Sequence, residues 1–381
     1  MDQNKKNIQL LIATGLYPPD IGGPATYARM LEEKLSIHDI EVSIVAFTSV
    51  RHLPKVIRHV VFAWKLWRQT KGKDVIYALD PISVGIPARV IAFLTSTPFI
   101  IRLGGDYAWE QGQQRFGITA TLDEYTANPQ KASWQVKLLA WTQSAIVRSA
   151  RFVVLPSEYL KSIVVTWGIA PDKIRVMYSS LFPLEVSGSK ETLRTELGYE
   201  GLVITSVGRL VPWKGFSELI EAVALLKPSM STLSLRIIGD GPQHEELATK
   251  AQACGVADSV TLVGKLDKDA LGKAIKASDL FVLNTSYEGL SHQLLEVMDL
   301  GIPIVTTRVG GNPELITDGI SGVLVEVGDT EGLSGAIKHV LLNENTQIRL
   351  TQNARLRTQD FTQEAVVKKV ATFLQQEVIQ K

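Results

Sequence analysis

Short, continuous apolar runs alternate with longer stretches of helical periodicity along most of this chain. Residues 8–13, 42–47, 75–79, 99–103 and 152–155 form one series of such runs. Residues 202–207, 233–238, 260–263, 280–283 and 304–306 form a second. Runs rich in Val, Ile and Leu, with no polar alternation, mark parallel strands buried on both faces. Helical stretches between them supply the crossovers that parallel strands need. The regularity lapses between residues 182 and 201, where polar and turn-forming residues accumulate, and this predicts a boundary near 183–200. The last stretch, 362–380, is a single helical pattern with no strand after it.

The pattern therefore predicts an α/β protein with two doubly wound, Rossmann-like domains, 1–185 and 200–361, and a closing helix over 362–381. Ligands of such sheets bind at the carboxyl ends of the strands, which predicts a cleft between the two domains. The least charged stretch, 75–101, is interrupted by Asp80, Pro81, Pro87, Arg89 and Pro98. A spanning helix needs about 20 mostly apolar residues, so this stretch reads as buried strands and a core helix. The polar start, residues 1–7, does not resemble a secretory signal.

Composition narrows the choice of chemistry. The chain has 381 residues and a formal net charge of +1, so no polyanionic partner such as nucleic acid is indicated. A single cysteine, Cys254, rules out a disulfide framework and fits a cytoplasmic setting. Six scattered histidines and one cysteine give no zinc-like spacing.

Four motifs follow predicted strands. Gly22-Gly23-Pro24 precedes a helical pattern. It reads as a tight turn or as a phosphate site at a helix N-terminus, where free N–H groups and the helix dipole attract anions. The run 208–215 holds Gly208, Arg209 and Lys214 after the first strand of the second series. Arg offers a planar fork and Lys a point charge, a pairing suited to a diphosphate. After the run 280–283 come Glu288, Gly289, Leu290, Ser291 and Glu296. There Glu288 is predicted in a loop and Glu296 about one turn into the next helix. Carboxylates there suit sugar or ribose hydroxyls. Gly310-Gly311-Asn312-Pro313-Glu314 is a second glycine loop that permits close backbone approach. The D-x-D sequence Asp267-Lys268-Asp269 reads as a helix cap, so no metal is expected. Gly239-Asp240-Gly241-Pro242 reads as a turn near the nucleotide base, since the G-x-G-x-x-G fingerprint is incomplete.

Together, Gly208–Gly215, the Glu288/Glu296 pair seven residues apart and the Gly310–Glu314 loop resemble the retaining glycosyltransferases of the GT-B fold, family 4 (glycosyl transferases group 1). The resemblance implies a hexosyltransferase that needs no metal or other cofactor and takes a nucleotide-sugar donor carrying UDP or GDP. It implies that Arg209 and Lys214 hold the diphosphate, that Glu296 holds the ribose and that Glu288 contacts the transferred sugar. Backbone amides of Gly289, Leu290 and Ser291, and of Gly22 and Gly23, would complete the phosphate site. The closing helix is expected to pack back on the first domain. Relatives carry a His where this chain has Gly104, in the run Gly104-Gly105-Asp106-Tyr107-Ala108-Trp109-Glu110. Asp106 is taken as a catalytic candidate there, and Tyr107 and Glu110 as acceptor-side candidates. The activity expected is sugar transfer to a saccharide or lipid-linked saccharide in bacterial cell-surface polysaccharide or glycolipid synthesis. A nucleotide-sugar epimerase of similar fold and a non-catalytic sugar-nucleotide-binding protein are the alternatives.

Residues 51–73 contain Arg51, Lys55, Arg58, Lys65, Arg68, Lys71 and Lys73 among Trp64, Trp67 and other apolar residues, with no acid. This reads either as a helix packed on the sheet with its cations reaching outward, or as peripheral contact with an anionic membrane on its inner face.

Overall fold

The structure is a computed structural model that describes residues 7–20 and 22–379, apart from the side chains of Lys55, Val56 and Ile379. The chain forms two compact units, one of residues up to 180 together with the segment from 363 onward, the other of residues 181–362.

The first unit carries a parallel six-stranded sheet: β1 (Ile8–Thr14), β2 (Ile40–Ala46), β3 (Val75–Ala78), β4 (Phe99–Arg102), β5 (Phe152–Leu155) and β6 (Ile174–Val176). Their order is β2-β1-β3-β4-β5-β6. The second unit repeats the plan with β7 (Leu202–Val207), β8 (Leu233–Ile238), β9 (Val260–Gly264), β10 (Leu280–Leu283), β11 (Ile304–Thr307) and β12 (Val323–Val325), ordered β12-β11-β10-β7-β8-β9. The order in which strands are added reverses between β1 and β3 in one sheet and between β7 and β10 in the other. At these switch points the loops leave a crevice at the strand ends. Each sheet is covered by helices, and residues such as Ile76, Ile101 and Val153, or Ile204, Ile237 and Val282, are fully buried.

The ten predicted strands are present, and two more, β6 and β12, were not predicted. Each is three residues long, too short for an apolar run to stand out from its surroundings. β2 also begins and ends earlier than expected, because Phe47 opens a one-turn helix, Phe47–Val50. Residues 183–200, expected as the boundary, include helix Lys190–Leu197, which belongs to the second unit. Leu193 is buried there and Arg194 pairs with Asp279 at 2.9 Å.

The segment after Thr362 is helical as expected, Gln363–Phe373 continuing into wider π-type turns over Leu374–Ile379. Within the first unit Lys34 pairs with Glu364 at 2.8 Å, and the Phe373 ring meets Phe152 edge-on at 5.3 Å. The Arg175 guanidinium forks onto Glu377, with Nε 2.8 Å from Oε2. Helix Gly85–Thr95, expected as a core helix, is buried on one side only. Val90, Phe93 and Leu94 face solvent.

Candidate functional site

The loops after β7 and β10 flank the switch point of the second sheet, and the two sequence motifs lie on them. After β7 the chain makes one 3₁₀ turn, Pro212–Lys214, and ends it at Gly215 with φ 61°. A Cβ at Gly215 would stand 1.9 Å from the carbonyl oxygen of Asn284. Only glycine lets these two loops touch there. Asn284 Nδ2 donates to the Gly215 carbonyl at 2.9 Å, and the Thr285 hydroxyl lies 2.9 Å from the Trp213 carbonyl. Ser286 N donates to that same carbonyl at 2.8 Å. These bonds fix Lys214 against the loop that carries Glu288.

Lys214 Nζ and Glu288 Oε1 form an ion pair, and each side chain is 14% exposed. A pair this dry is sensitive to loss of either partner, since the survivor would be a charge without compensation. The Glu288 backbone is seated in turn by the second glycine loop. Gly311 N donates to the Glu288 carbonyl at 2.9 Å. Gly310 has φ 57°, and a Cβ there would lie 2.0 Å from the Glu288 carbonyl oxygen. The close approach made at these glycines is to the backbone of the loop that carries Glu288.

Gly289 and Leu290 are buried, and Ser291 caps helix His292–Leu300, its hydroxyl accepting from Leu294 N at 3.3 Å. Glu296 sits one turn into that helix. Burial pushes its carboxyl up to about 7, against a weaker downward pull from Lys268. Arg209 is exposed, and among the described residues its guanidinium has no hydrogen-bond or ion-pair partner. The main chain around it is pinned: Gly208 N donates to the Ile238 carbonyl and Leu210 N to the Asp240 carbonyl, both at 3.0 Å. The second unit thus carries Arg209 on the loop after β7, the Lys214–Glu288 pair between the loops after β7 and β10, and Glu296 in the helix that follows β10. Such a set can bind an anion and vicinal hydroxyls together. Asp267 caps helix Lys268–Lys276, accepting from Ala270 N at 2.9 Å.

In the first unit, Gly22 precedes helix Gly23–Lys34 and its carbonyl accepts from Ala25 N and Thr26 N. Asp106, the catalytic candidate, serves in this structure as a helix cap. Its Oδ1 accepts from Trp109 N at 3.0 Å and from Gln143 Nε2 at 3.1 Å, and the residue is 2% exposed. It is the N-cap of helix Tyr107–Arg115, and a sequence cannot separate a capping Asp from a catalytic one because both sit where a strand-end loop becomes a helix. Tyr107 and Glu110 are partly exposed in the first turn of this helix.

Sequence reasoning missed Asp80, which follows β3 at the first unit's switch point. Its Oδ1 accepts from Ile82 N at 2.7 Å and Ser83 N at 2.8 Å. Desolvation raises its carboxyl in spite of these bonds, and its charge in turn helps to raise the Tyr107 phenol. The signal available was an acid directly after an apolar strand. Asn284 and Thr285 were missed likewise, although they are the first polar residues after β10.

Comparison with known proteins matches this plan. A profile described as Glycosyl transferases group 1 matches residues 190–357, and one described as Glycosyl transferase 4-like domain matches residues 22–179. The lipopolysaccharide core biosynthesis glycosyltransferase LpsE of Rhizobium meliloti (strain 1021) is 35% identical over 150 residues, 39% of this chain and 42% of that protein. The chain therefore spans less than half the length of that relative. Anabaena HepE in complex with UDP superposes with a TM-score of 0.76 at 18% identity, over 97% of this chain and 100% of that one. Sucrose-phosphate synthase from Thermosynechococcus elongatus does so with a TM-score of 0.78 at 17% identity, over 97% and 98%. With the two profiles together matching most of its length and two parallel, doubly wound sheets as expected, this chain belongs to the glycosyl transferases group 1 family and has the GT-B fold.

Proposed function

We propose that this protein transfers a sugar from a nucleotide-diphosphate sugar to a saccharide or lipid-linked saccharide acceptor, with retained anomeric configuration and without a metal. The observation that carries the reading is the dry Lys214–Glu288 pair at the switch point of the second sheet, beside the helix that bears Glu296. In the unbound protein Glu288 compensates Lys214. When a diphosphate arrives, Lys214 turns to it together with Arg209, and Glu288 is released to accept hydrogen bonds from the sugar. Glu296 accepts from the ribose hydroxyls, and the backbone amides of Gly289, Leu290 and Ser291 face phosphate.

In the reaction, the bond from the anomeric carbon to the diphosphate oxygen breaks and its electron pair leaves with the diphosphate. The acceptor oxygen bonds to the same face of that carbon, and its proton passes to the departing phosphate. Positive charge already aimed at the leaving group is commonly the largest catalytic term. Tyr107 and Glu110 are the acceptor-side candidates. LpsE's assignment to lipopolysaccharide core synthesis supports an acceptor of the bacterial cell surface, and with it a site of action on the cytoplasmic side of the membrane.

The test is a thermal-shift panel of UDP, GDP and ADP and their sugar conjugates, with HepE's UDP as the first to try. A ligand at 100 times its Kd adds about 2.7 kcal/mol of stability. Stabilisation by one base family, absent in Arg209→Ala and Lys214→Ala, is expected. No stabilisation by any of them would overturn the donor site. Retention is tested separately, by the anomeric coupling in the NMR spectrum of the product; an inverted product would refute front-face transfer.

A further inference from the structure

We propose that the outer surface of one helical layer of the first unit docks on an anionic lipid surface. Strands β3, β4 and β5 are added in one direction along the sheet, and right-handed crossovers place their connecting helices on one face. Helices Lys55–Thr70, Gly85–Thr95 and Trp134–Arg148 therefore form a layer. Their inner residues Phe62, Leu66, Ala88, Ile91 and Val147 share one core with Leu11, Ile76 and Ile101.

The outer side of this layer is apolar where solvent should favour polar residues. Trp64 and Trp67 are 50% and 55% exposed, Phe93 and Leu94 71% and 67%, and Trp134 and Trp141 70% each. Single exposed apolar residues are ordinary, but neighbouring stripes on three adjacent helices form a patch that calls for a partner. Four of the seven tryptophans of the chain lie in it. Tryptophan is the residue type that settles at a membrane–water boundary, with its ring among acyl chains and its N–H in the headgroups.

Charge selects the partner. The three helices hold seven Lys or Arg and no Asp or Glu, in a chain whose 40 basic and 39 acidic residues otherwise balance. The cations stand beside the exposed rings: Arg68 lies 4.9 Å above the Trp64 ring and Arg89 5.5 Å above that of Phe93. Beyond Trp67 the stripe runs into a pocket lined by Trp67, Arg68, Lys71, Lys73 and Thr97, which sets two further cations beside an apolar floor. A second copy of this chain would set the same excess of positive charge against itself. An anionic bilayer satisfies both features at once, burying the rings while phosphates meet the cations. Among the described residues no helix is long and apolar enough to cross a membrane, so the contact is one of surface binding. This extends the basic stretch 51–73 to two further helices. Lys55 belongs to that stretch, but its side chain lies outside the described ones. The inference does not depend on the donor site, whose residues are in the second unit.

The experiment is co-sedimentation of the full chain with phosphatidylcholine vesicles, with and without phosphatidylglycerol. The wild type is expected to bind only the anionic vesicles and to release as salt rises. Trp64→Ser with Trp141→Ser, and separately Arg68→Glu with Lys137→Glu, should each lower partitioning about tenfold or more. All four side chains are exposed, so melting temperature should be unchanged, as should any stabilisation by nucleotide. Equal binding to neutral vesicles, no binding to either, or wild-type partitioning by both double variants would overturn the proposal. A dimer that the variants dissolve, without vesicle binding by the wild type, would make the face a contact between copies and also overturn it.

Discussion

At the scale of single residues, Lys214, Glu296 and Asp106 make separable predictions. Lys214→Ala removes the ion-pair partner of Glu288 and the charge proposed for the leaving group. Transfer should fall by about 10²–10³ in kcat, the usual loss for one preorganised donor. Steady-state kinetics with the nucleotide identified by thermal shift would measure it. Glu296 gives a pH prediction. Its folded carboxyl titrates near 7 because of burial, while the unfolded group keeps the ordinary value of 4.5. As pH rises from 4.5 the unfolded chain gives up its proton first, so stability falls until about pH 7 and is flat above it. By linkage this cost approaches about 3 kcal/mol at pH 8. Glu296→Gln should therefore raise the denaturation midpoint at pH 8 and leave it unchanged at pH 4. Equal midpoint shifts at both pH values would show that the carboxyl is not perturbed in this way. If Glu296 holds the ribose as a carboxylate, nucleotide affinity should also drop below pH 7. For Asp106, capping and catalysis part company. Asp106→Asn keeps a cap and should leave the transfer rate within a few-fold, whereas Asp106→Ala should cost about 0.5–2 kcal/mol of stability. A rate loss of several orders in the Asn variant would restore a catalytic role.

Elements were legible in the sequence to the extent that burial wrote a period into them. Strands β1, β5, β7 and β10 are buried along nearly their whole length and were read to within a residue or so, as was β8, where Ser234 and Arg236 alternate with buried Leu and Ile. β6 and β12 were not, since three residues at the sheet edges carry too little pattern. Helix Gly85–Thr95 was read as a core helix because it is almost wholly apolar. Composition alone does not say that one side of it faces outward. The glycine loops show the same limit. Their positions after strands were evident, but Gly310 and Gly215 face other loops of the protein, and this depends on pairing between β10 and its neighbours. Gly310→Ala tests the point. A Cβ 2.0 Å from the Glu288 carbonyl oxygen, at φ 57°, must displace the loop. Stability should fall by about 1–3 kcal/mol by chemical denaturation. Nucleotide stabilisation should weaken as well, because Glu288 and Lys214 no longer meet.

At the scale of the whole molecule, the chain leaves the second unit at Thr362 and ends in the first, with 363–379 packed within it. Val366, Val367, Val370 and Phe373 of this segment are nearly fully buried. At roughly 1.5–3 kcal/mol for each large apolar side chain, their loss is comparable to the whole margin of about 5–15 kcal/mol by which a domain is stable. A chain stopped at Thr362 should therefore lose the native structure of its first unit, seen as loss of tryptophan near-ultraviolet dichroism. Retention of the wild-type spectrum would mean that the segment is dispensable to that unit.

The sequence by itself determined the α/β class, the two series of parallel strands and the motifs Arg209, Lys214, Glu288 and Glu296, because burial and strand-end chemistry are local and leave a linear record. Only the tertiary structure decided that Lys214 and Glu288, 74 residues apart, share one ion pair. It alone tied Asp106 to Gln143, and it alone set exposed aromatic rings of three separate helices on one layer. Each of these depends on which strands become neighbours, and strand order in a parallel sheet is settled by the packing of distant segments rather than by any one of them.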